Sequence, residues 1–491
     1  MKISLFPLGR ALGQYVSTFF CPLFLLFSGK SLAQEVALPS VIFAVENLQE
    51  DFAHLRKHIE TKNPIAYLYR SKEEVISFLD SIERLIDRPM TELEFYRLIS
   101  PIASLIKDGH NLILPSERVN AYLDQSPHHL PVEIALLDGQ LFIKEHYSPS
   151  KDLQAGQELD AINGVQAKVI LDRLYEVLPR EGHQVSLPTN YLNKWFRYFY
   201  HMHFGFEKVY HLLHTNLKGQ QKETVVAGMS LDDIIEKRKE YHPTSSKPKG
   251  ISVDIIDKDA KVARLNLPTF AKSFLKSRYG QKKFRKEIDR CFAILFQEEI
   301  AHLVIDLRDN SGGNPAYSVY VLKYLFDQPF TQAMMGRVVT KPEKEGVMER
   351  TSKRWFPWYG IGRFRPKKKQ YLGELYVLIN GGTFSAAVEF ASTLQRYERA
   401  VFIGEETGGN PVVMTGNYWK EGRKLPHTKI AHYSGYICTL YDDLGQNKGR
   451  GIIPDHPVQK GRDDLLSGKD LEMEKALSII AKRVGRSSLT H

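Results

Sequence analysis

The chain of 491 residues has little cysteine, and its apolar runs are short. None of its three cysteines, Cys21, Cys291 and Cys438, belongs to a C-x-x-C pair, which argues against a zinc site built on thiolates. Beyond residue 33 no apolar run reaches the length of about 18 residues that a membrane span needs. The net charge of +10 is not gathered in an Arg-rich helix, and no base-stacking motif accompanies it. These absences argue against a nucleic-acid-binding protein.

The first 33 residues have the pattern of an export signal. They contain Lys2, Arg10 and Lys30 but no acidic residue, and the apolar run at 15–28 is short for a membrane span. We therefore expect residues 1–33 to be a signal peptide and the protein to be periplasmic or extracellular, without membrane association once the signal is removed. An uncleaved membrane anchor is the alternative.

Two cysteines, Cys291 and Cys438, remain after the signal. In an oxidising compartment they could form one disulfide, but two lone cysteines far apart in sequence favour buried thiols.

The N-terminal part of the mature chain is predicted to be helical. Ser71–Glu74 and Thr91–Glu94 are both capping boxes, and apolar residues at helical spacing follow each of them. We assign residues 34–125 to a helical domain, in which His110 comes just before a short strand predicted at 112–114.

Residues 126–228 are predicted to form a small β-rich domain. A hairpin is expected around Asp138-Gly139, and the stretch 156–164 is predicted to form a turn, a strand and a second turn before a helix at 167–178. This order resembles a PDZ domain, in which a Gly-(Asp/Gln)-x-Ile-x-x-Ile-Asn-Gly stretch recurs. A structural β-domain that captures no peptide is the alternative, because no Gly-Leu-Gly-Phe-like loop precedes the first strand.

Residues 251–462 alternate between strands and helices. Strands are predicted at 262–267, 302–307, 375–379 and 400–404, and helices at 283–298, 316–326 and 385–394. This alternation predicts right-handed β-α-β units on a largely parallel sheet, with ligands bound at the carboxyl ends of the strands. The polar segment 229–250 is assigned to a linker, and residues 463–491 to a C-terminal helical tail. The predicted fold class is α/β.

Two strand-to-helix junctions carry residues suited to catalysis. The first contains Gly312 and Gly313, whose backbone N–H groups could bind an anion or a developing oxyanion, although a plain tight turn fits the same residues. The second contains Ser385 at the start of a helix, where the helix dipole favours negative charge and the Ala386 N–H could contribute to an oxyanion hole. A serine that only caps the helix is the alternative.

Four motifs in this order resemble a serine peptidase family, that of the carboxyl-terminal processing (tail-specific) proteases and the tricorn core. They are Ile-Asp-Leu-Arg-Asp-Asn-Ser-Gly-Gly at 305–313, Thr-Phe-Ser-Ala-Ala at 383–387, Ile-Gly-Glu-Glu-Thr-Gly-Gly at 403–409 and Gly-Ile-Ile-Pro-Asp-His-Pro-Val at 451–458. The resemblance implies a crotonase-like ββα catalytic domain with Ser385 as nucleophile. It also implies an oxyanion hole from the N–H groups of Gly312 or Gly313 and of Ala386, with no metal and no organic cofactor.

The chain departs from the family's Ser-Lys dyad at the base. Asn410 stands where dyad enzymes carry the lysine, whereas the tricorn-like branch uses a histidine from an upstream domain. His110 fits that place, and an imidazole has a suitable pKa for a general base; a structural His110 is the alternative. Glu405 or Glu406 could supply the acid that supports the base, and the sequence leaves this choice open.

We therefore expect an exported serine endopeptidase or exopeptidase that acts on peptides or unfolded protein tails. Two other functions stay open. A non-catalytic protein could bind a ligand or peptide on the same scaffold, and reaction of Ser385 with a fluorophosphonate probe would argue against it. Alternatively the PDZ-like segment could be the working site, which peptide binding that survives deletion of residues 251–491 would favour.

Overall fold

The structure is a computed structural model that describes residues 41–241, 250–271, 280–338, 360–418, 424–443, 445 and 448–486. The predicted signal peptide, 1–33, lies outside these residues. Within the described ranges, every helix is too short or too polar to cross a lipid bilayer.

The helices and strands follow one another in three stretches of the chain. The N-terminal stretch contains β1 (Ile42–Phe43), α1 (Val45–Lys62), α2 (Lys72–Arg84), β2 (Met90–Thr91), α3 (Glu92–Ile99), α4 (Ile102–Leu105), β3 (Leu112–Leu114) and α5 (Glu117–Gln125). The middle stretch contains β4 (Val132–Leu137), β5 (Gln140–His146), β6 (Glu158–Ile162), β7 (Val165–Gln166), α6 (Ala167–Val177), α7 (Ser186–Phe204), β8 (Val209–Thr215), β9 (Gln221–Ala227) and α8 (Leu231–Tyr241).

The third stretch is the longest. It begins with β10 (Ser252–Asp257), β11 (Val262–Asn266), α9 (Gly280–Gln297), β12 (His302–Asp306), α10 (Pro315–Leu325), β13 (Phe330–Thr331), β14 (Met335–Val338) and β15 (Arg363–Phe364). It continues with β16 (Glu374–Ile379), α11 (Ala386–Arg396), β17 (Val401–Gly404), β18 (Val413–Tyr418), β19 (Ala431–Tyr433), β20 (Gly435–Leu440), β21 (His456–Pro457), α12 (Arg462–Ser467) and α13 (Leu471–Arg483).

Both predicted capping boxes begin helices in the N-terminal stretch. At the start of α2, the Ser71 hydroxyl accepts a hydrogen bond from the Glu74 N–H at 3.1 Å, and the Glu74 carboxylate accepts one from the Ser71 N–H at 2.8 Å. The same reciprocal pair joins Thr91 and Glu94 at the start of α3. These caps satisfy N–H groups that would otherwise lack partners, so the prediction of helices at these points is confirmed.

The middle stretch forms a mainly antiparallel sheet in the order β4-β5-β6-β8-β9. The predicted hairpin joins β4 to β5, and Asp138 and Gly139 at its tip have φ of 48° and 78°. Two successive residues with positive φ match the right-handed twist of the strands, which is why Asp-Gly is a strong hairpin signal. Helices α6 and α7 cover this sheet through a shared apolar core.

The third stretch contains the predicted parallel sheet, in the order β10-β11-β12-β16-β17-β21. All neighbouring strands from β11 onwards are parallel, and β10 runs antiparallel at the edge. Helices α9, α10 and α11 contribute to the core on one face, and α13 covers the other. The prediction of a mixed α/β fold is confirmed. Because β12 and β16 are parallel neighbours, the loops after them meet at the same edge.

Two of the predicted segments contain helices. The described part of 229–250, predicted as a linker, contains α8, which the Ser230 hydroxyl caps by accepting from the Asp233 N–H at 3.1 Å. Residues 242–249 of that segment lie outside the described residues. The described part of 463–491, predicted as a helical tail, contains most of α12 and all of α13, and Met473 and Ile480 of α13 are buried against the parallel sheet.

The N-terminal stretch is interlocked with the third. Strand β3 pairs with β19 so that Ile113 lies opposite His432. On α1, Asp51 accepts hydrogen bonds from the Thr428 N–H at 2.8 Å and the Thr428 hydroxyl at 2.6 Å. These contacts fix the segment around His110 against the loops of the parallel sheet. Separately, Cys291 and Cys438 are buried thiols, as the sequence favoured.

Candidate active site

Ser385 lies between β16 and α11, at the carboxyl edge of the parallel sheet. Its φ of 54° and ψ of −130° form a conformation that costs a non-glycine residue about 1–3 kcal/mol and persists only when the surroundings enforce it. One such restraint is the hydrogen bond from the Phe384 N–H to the Asn310 carbonyl at 3.0 Å. The Ser385 side chain makes no capping hydrogen bond to α11. Capping therefore does not explain why a serine stands here.

His110 brings its imidazole to this serine from the N-terminal stretch. Its Nε2 atom lies 3.2 Å from Ser385 Oγ, and its ring packs against Phe384 with 4.6 Å between the ring centroids. His110 is only 5% exposed, and burial lowers the pKa of its imidazole to about 3, so the ring is neutral at pH 7. A neutral imidazole nitrogen within hydrogen-bond reach of a hydroxyl can accept its proton.

Two buried carboxyl groups, Asp108 and Glu181, lie beside His110. Asp108 Oδ1 is 3.9 Å from His110 Nδ1, and it accepts hydrogen bonds from the His110 backbone N–H at 2.9 Å and the Thr415 hydroxyl at 2.7 Å. Glu181 Oε2 accepts from the Gly109 N–H at 3.0 Å. Burial raises the pKa of both carboxyls, and the neighbouring Asp108 charge raises that of Glu181 further. Two carboxyls so placed favour sharing one negative charge.

These three side chains are also the candidate metal ligands in the described part of the chain. One donor atom from each lies within 4.8 Å of the others. However, Asp108 Oδ1, Asp108 Oδ2 and Glu181 Oε2 already accept hydrogen bonds, the second of them from Asn63 Nδ2 at 3.3 Å. Hydrogen bonds within the chain therefore engage both oxygens of Asp108 and one oxygen of Glu181.

The predicted supporting acids, Glu405 and Glu406, have other surroundings. Glu406 forms an ion pair with Arg450 at 2.6 Å and accepts a hydrogen bond from the Gly451 N–H at 2.8 Å. Glu405 is exposed, and Lys460 is among the charges that act on its carboxyl. The carboxyl groups that lie beside His110 are those of Asp108 and Glu181. No local sequence signal marks Glu181, which reaches the site from the loop before α7.

The glycine loop after β12 lies directly against the serine. Gly312 and Gly313 have φ of 94° and 138°, values that side-chain-bearing residues rarely adopt. A Cβ atom on Gly312 would lie 2.7 Å from Ser385 Cβ and 2.7 Å from the Ala386 nitrogen. The Gly312 N–H donates to Asn310 Oδ1 at 2.9 Å. That amide is therefore already engaged within the loop.

Asn410, at the place of the dyad lysine, is almost fully buried. Its amide nitrogen donates to the Tyr69 hydroxyl at 2.9 Å, and its Oδ1 atom accepts from the Val412 N–H at 2.7 Å. The side chain therefore shapes the loop after β17 and offers no basic group to Ser385.

A cleft of about 150 Å³ opens next to the serine loop. Its walls include the aromatic rings of Tyr191 and Trp195 from α7 and of Phe384. At its polar side, Asp309 forms an ion pair with Lys194 at 2.9 Å. This pairing lowers the pKa of the Asp309 carboxyl despite its burial. The cleft thus combines aromatic surface with one paired acid and base.

A protein-family match covers the part of the chain that contains most of the parallel sheet. Residues 261–458 match the family described as Peptidase family S41. A carboxyl-terminal-processing peptidase 2 of Arabidopsis thaliana, described as chloroplastic, is 29% identical over 157 residues, which are 32% of this chain and 26% of that protein. A CtpA-like serine protease of Staphylococcus aureus is 25% identical over 275 residues, covering 54% of this chain and 48% of that protein. The chain thus spans about half or less of the length of these curated relatives.

Solved structures extend the likeness to nearly the whole chain. The crystal structure of mature CPAF matches with a TM-score of 0.62 at 14% identity, covering 91% of this chain and 99% of that one. The crystal structure of a CPAF mutant matches with a TM-score of 0.63 at 15% identity, covering 90% and 98%. At this identity the likeness is one of fold.

Proposed function

We propose that this chain, in which residues 261–458 match Peptidase family S41, is a serine-type peptidase with Ser385 as nucleophile and His110 as general base. The observation that carries the proposal is the 3.2 Å separation of His110 Nε2 and Ser385 Oγ, contributed by residues 275 positions apart. Beside this pair lie backbone N–H groups at a helix N-terminus and a cleft for a substrate side chain. Together these are the parts that acyl transfer requires.

In the first half of the reaction, Ser385 Oγ attacks the carbonyl carbon of the scissile peptide bond while His110 Nε2 takes the hydroxyl proton. The negative charge that develops on the carbonyl oxygen is stabilised by the N–H groups of Gly313 and Ala386, usually the largest single contribution in such chemistry. His110 then returns the proton to the leaving nitrogen, and the C–N bond breaks. In the second half, water replaces the amine and His110 acts again as base, which releases the acid and restores Ser385.

Asp108 is proposed as the positioning residue for His110, with Glu181 beside it. When Nε2 accepts a proton the ring becomes a cation, and Asp108 Oδ1 lies 3.9 Å from the opposite nitrogen. A shared negative charge on the two carboxyls would stabilise that cation and offset the burial that lowers the pKa of the resting imidazole.

The proposal extends to domains and location. Residues 34–125 would form the helical domain that supplies His110, 126–228 a PDZ-like unit, and 251–462 a crotonase-like catalytic unit. The mainly antiparallel sheet with α6 supports the second assignment, and the parallel sheet with α10 and α11 supports the third. The basic and apolar pattern of residues 1–33 supports export to the periplasm or the exterior. The substrates would be peptides or unfolded protein tails.

Labelling with a fluorophosphonate probe tests the nucleophile. The full chain should gain one probe mass on Ser385, and Ser385→Ala should gain none. Ser392→Ala is the matched control, because Ser392 is buried on the same helix and donates its hydroxyl hydrogen to the Glu389 carbonyl at 3.1 Å. A wild type that stays unlabelled would favour the non-catalytic binding protein, and a Ser385→Ala variant that is labelled equally would contradict Ser385 as the nucleophile.

A further inference from the structure

Four basic side chains form a cluster next to the loop that carries His110. They are Arg70 after α1, Lys107 three residues before His110, and Arg180 and His183 in the loop between α6 and α7; they are called the basic cluster below. The Lys107 ammonium donates a hydrogen bond to His183 Nδ1 at 2.9 Å. The Gly182 N–H donates to the Lys107 carbonyl at 2.9 Å, which ties the two loops together.

The members of the basic cluster repel one another. The pKa of Lys107 is lowered first by burial and then by the charges of Arg70 and Arg180. Burial and the Arg70 charge lower the pKa of Arg180, and burial with the Lys107 and Arg70 charges lowers that of His183. Like charges thus lie close together at partly desolvated positions. A bound anion would reduce the electrostatic repulsion between them.

Among the residues that the structure describes, two acids lie near this cluster, and both have other partners. Glu74 is the acid paired with Arg70, at 4.0 Å, but its side chain is 57% exposed and also accepts the Ser71 N–H of the capping box. Glu181 is engaged with the Gly109 N–H. Within the described ranges, the Nε atoms of Arg70 and Arg180 have no hydrogen-bond partner.

Arg180 also lines a cleft of about 440 Å³. The other walls come from the tip of the β4–β5 hairpin and from α6 and α7, and they include the apolar side chains Leu136 and Val185 and the Tyr175 ring. Asp138 at the hairpin tip is the acid on its rim. A guanidinium beside apolar walls is suited to a peptide that bears both apolar side chains and a carboxylate.

We propose that Arg70, Lys107 and Arg180 form a carboxylate-binding subsite for the substrate peptide, which orients it relative to the His110 loop. The carboxylate can be an acidic side chain or the peptide C-terminus. This inference rests on the proposed function in treating the bound peptide as a substrate. The binding itself requires no catalysis. The enzyme would therefore prefer peptides with a carboxylate at a fixed distance from the scissile bond.

The test measures binding to the full chain carrying Ser385→Ala, which cannot turn the peptide over by the proposed route. Three fluorescein-labelled peptides of nine residues, built from Ala, Leu and Ser, are compared by anisotropy. One carries a central Asp and an amidated C-terminus, one a central Asn and an amidated C-terminus, and one a central Asn and a free C-terminus. At least one carboxylate peptide should bind about tenfold more tightly than the neutral one, as expected for a charge-assisted contact.

The preference should fall to about twofold or less in Arg180→Gln and in Arg70→Gln, within the scatter of ordinary surface changes. It should persist in Lys168→Gln, the matched control, because the Lys168 side chain is 82% exposed on α6. If Arg180→Gln fails to fold by circular dichroism, Lys107→Gln takes its place. The carboxylate peptide that gains affinity identifies which of the two sources the subsite takes.

Equal binding of all three peptides, no binding at millimolar concentration, or an unchanged preference in Arg70→Gln and Arg180→Gln would overturn the subsite. These outcomes are separable from failure of the proposed function. A carboxylate preference without hydrolysis by the wild type would contradict only the peptidase, whereas hydrolysis without a carboxylate preference would contradict only the subsite.

Discussion

The substitution Gly312→Ala tests whether the glycine loop after β12 sets the geometry of the serine and its oxyanion donors. The new methyl group would lie 2.7 Å from Ser385 Cβ, from the Ala386 nitrogen and from the Phe384 carbonyl oxygen. Ordinary contacts are about 3.5 Å, so the two loops must separate by about 0.5–1 Å. The φ of 94° adds strain of about 1–2 kcal/mol for a residue with a side chain.

A displacement of about 1 Å in catalytic groups costs about 100-fold in rate, so kcat/KM for peptide hydrolysis should fall by about that factor while the protein stays folded. Gly219→Ala is the matched control. Gly219 has a φ of 79°, and nothing lies within 4 Å of the position of its added methyl group. The control should therefore lose only the stability that its backbone strain costs, measured by thermal unfolding, and keep its activity. A folded Gly312→Ala enzyme with activity within threefold of wild type would refute the reasoning.

Three further predictions concern charge. Because burial lowers the pKa of His110 to about 3, the acid limb of kcat/KM should lie well below pH 6.5, and a midpoint near 6.5 would contradict the buried, neutral base. Asp108→Asn removes the charge beside the imidazolium and should lower kcat at least about tenfold with little change in KM; an unchanged kcat would remove Asp108 from the proposal. Burial raises the pKa of Glu389 from 4.5 to about 7, so the folded chain binds more protons than the unfolded chain between these values. The free energy of unfolding should therefore fall by about 3 kcal/mol from pH 4.5 to pH 8 through this group alone. Urea unfolding of the wild type and of Glu389→Gln measures that difference, and equal pH dependence in both would contradict it.

Much of the fold could be predicted because its signals are local. Capping boxes begin at Ser71 and Thr91, and Asp138-Gly139 supplies the two positive φ values of a tight hairpin. The parallel sheet follows from strands and helices that alternate in the chain, and its topology brings the loops of Gly312 and Ser385 to one edge.

The parts of the site that escaped prediction depend on tertiary contacts. Glu181 contacts the His110 loop by accepting a hydrogen bond from the Gly109 N–H. No sequence pattern around residue 181 predicts this contact. The motif at 403–409 predicts Glu405 or Glu406 as a possible supporting acid. In the structure, Glu406 forms an ion pair with Arg450. The sequence predicts a possible oxyanion site at Gly312 or Gly313 and leaves the choice open, because the hydrogen bond from the Gly312 amide to the Asn310 side chain depends on the folded loop.

Polar composition alone does not distinguish a linker from a solvent-exposed helix. The polar sequence of 229–250 predicts a linker, and the described part of this segment contains the capped helix α8 with Ile234 buried. Polar composition indicates exposure to solvent, and it does not by itself indicate the absence of regular structure.

The most direct test of the account is hydrolysis of an unstructured peptide library by the wild type, Ser385→Ala and His110→Ala. His211→Ala is the matched control, because the His211 side chain is 52% exposed. We expect cleavage by the wild type and the control, and its loss in both site variants with folding intact. A folded His110→Ala variant that cleaves at the wild-type rate would contradict the Ser-His mechanism, and absence of cleavage by the wild type over a broad pH range would contradict the peptidase itself.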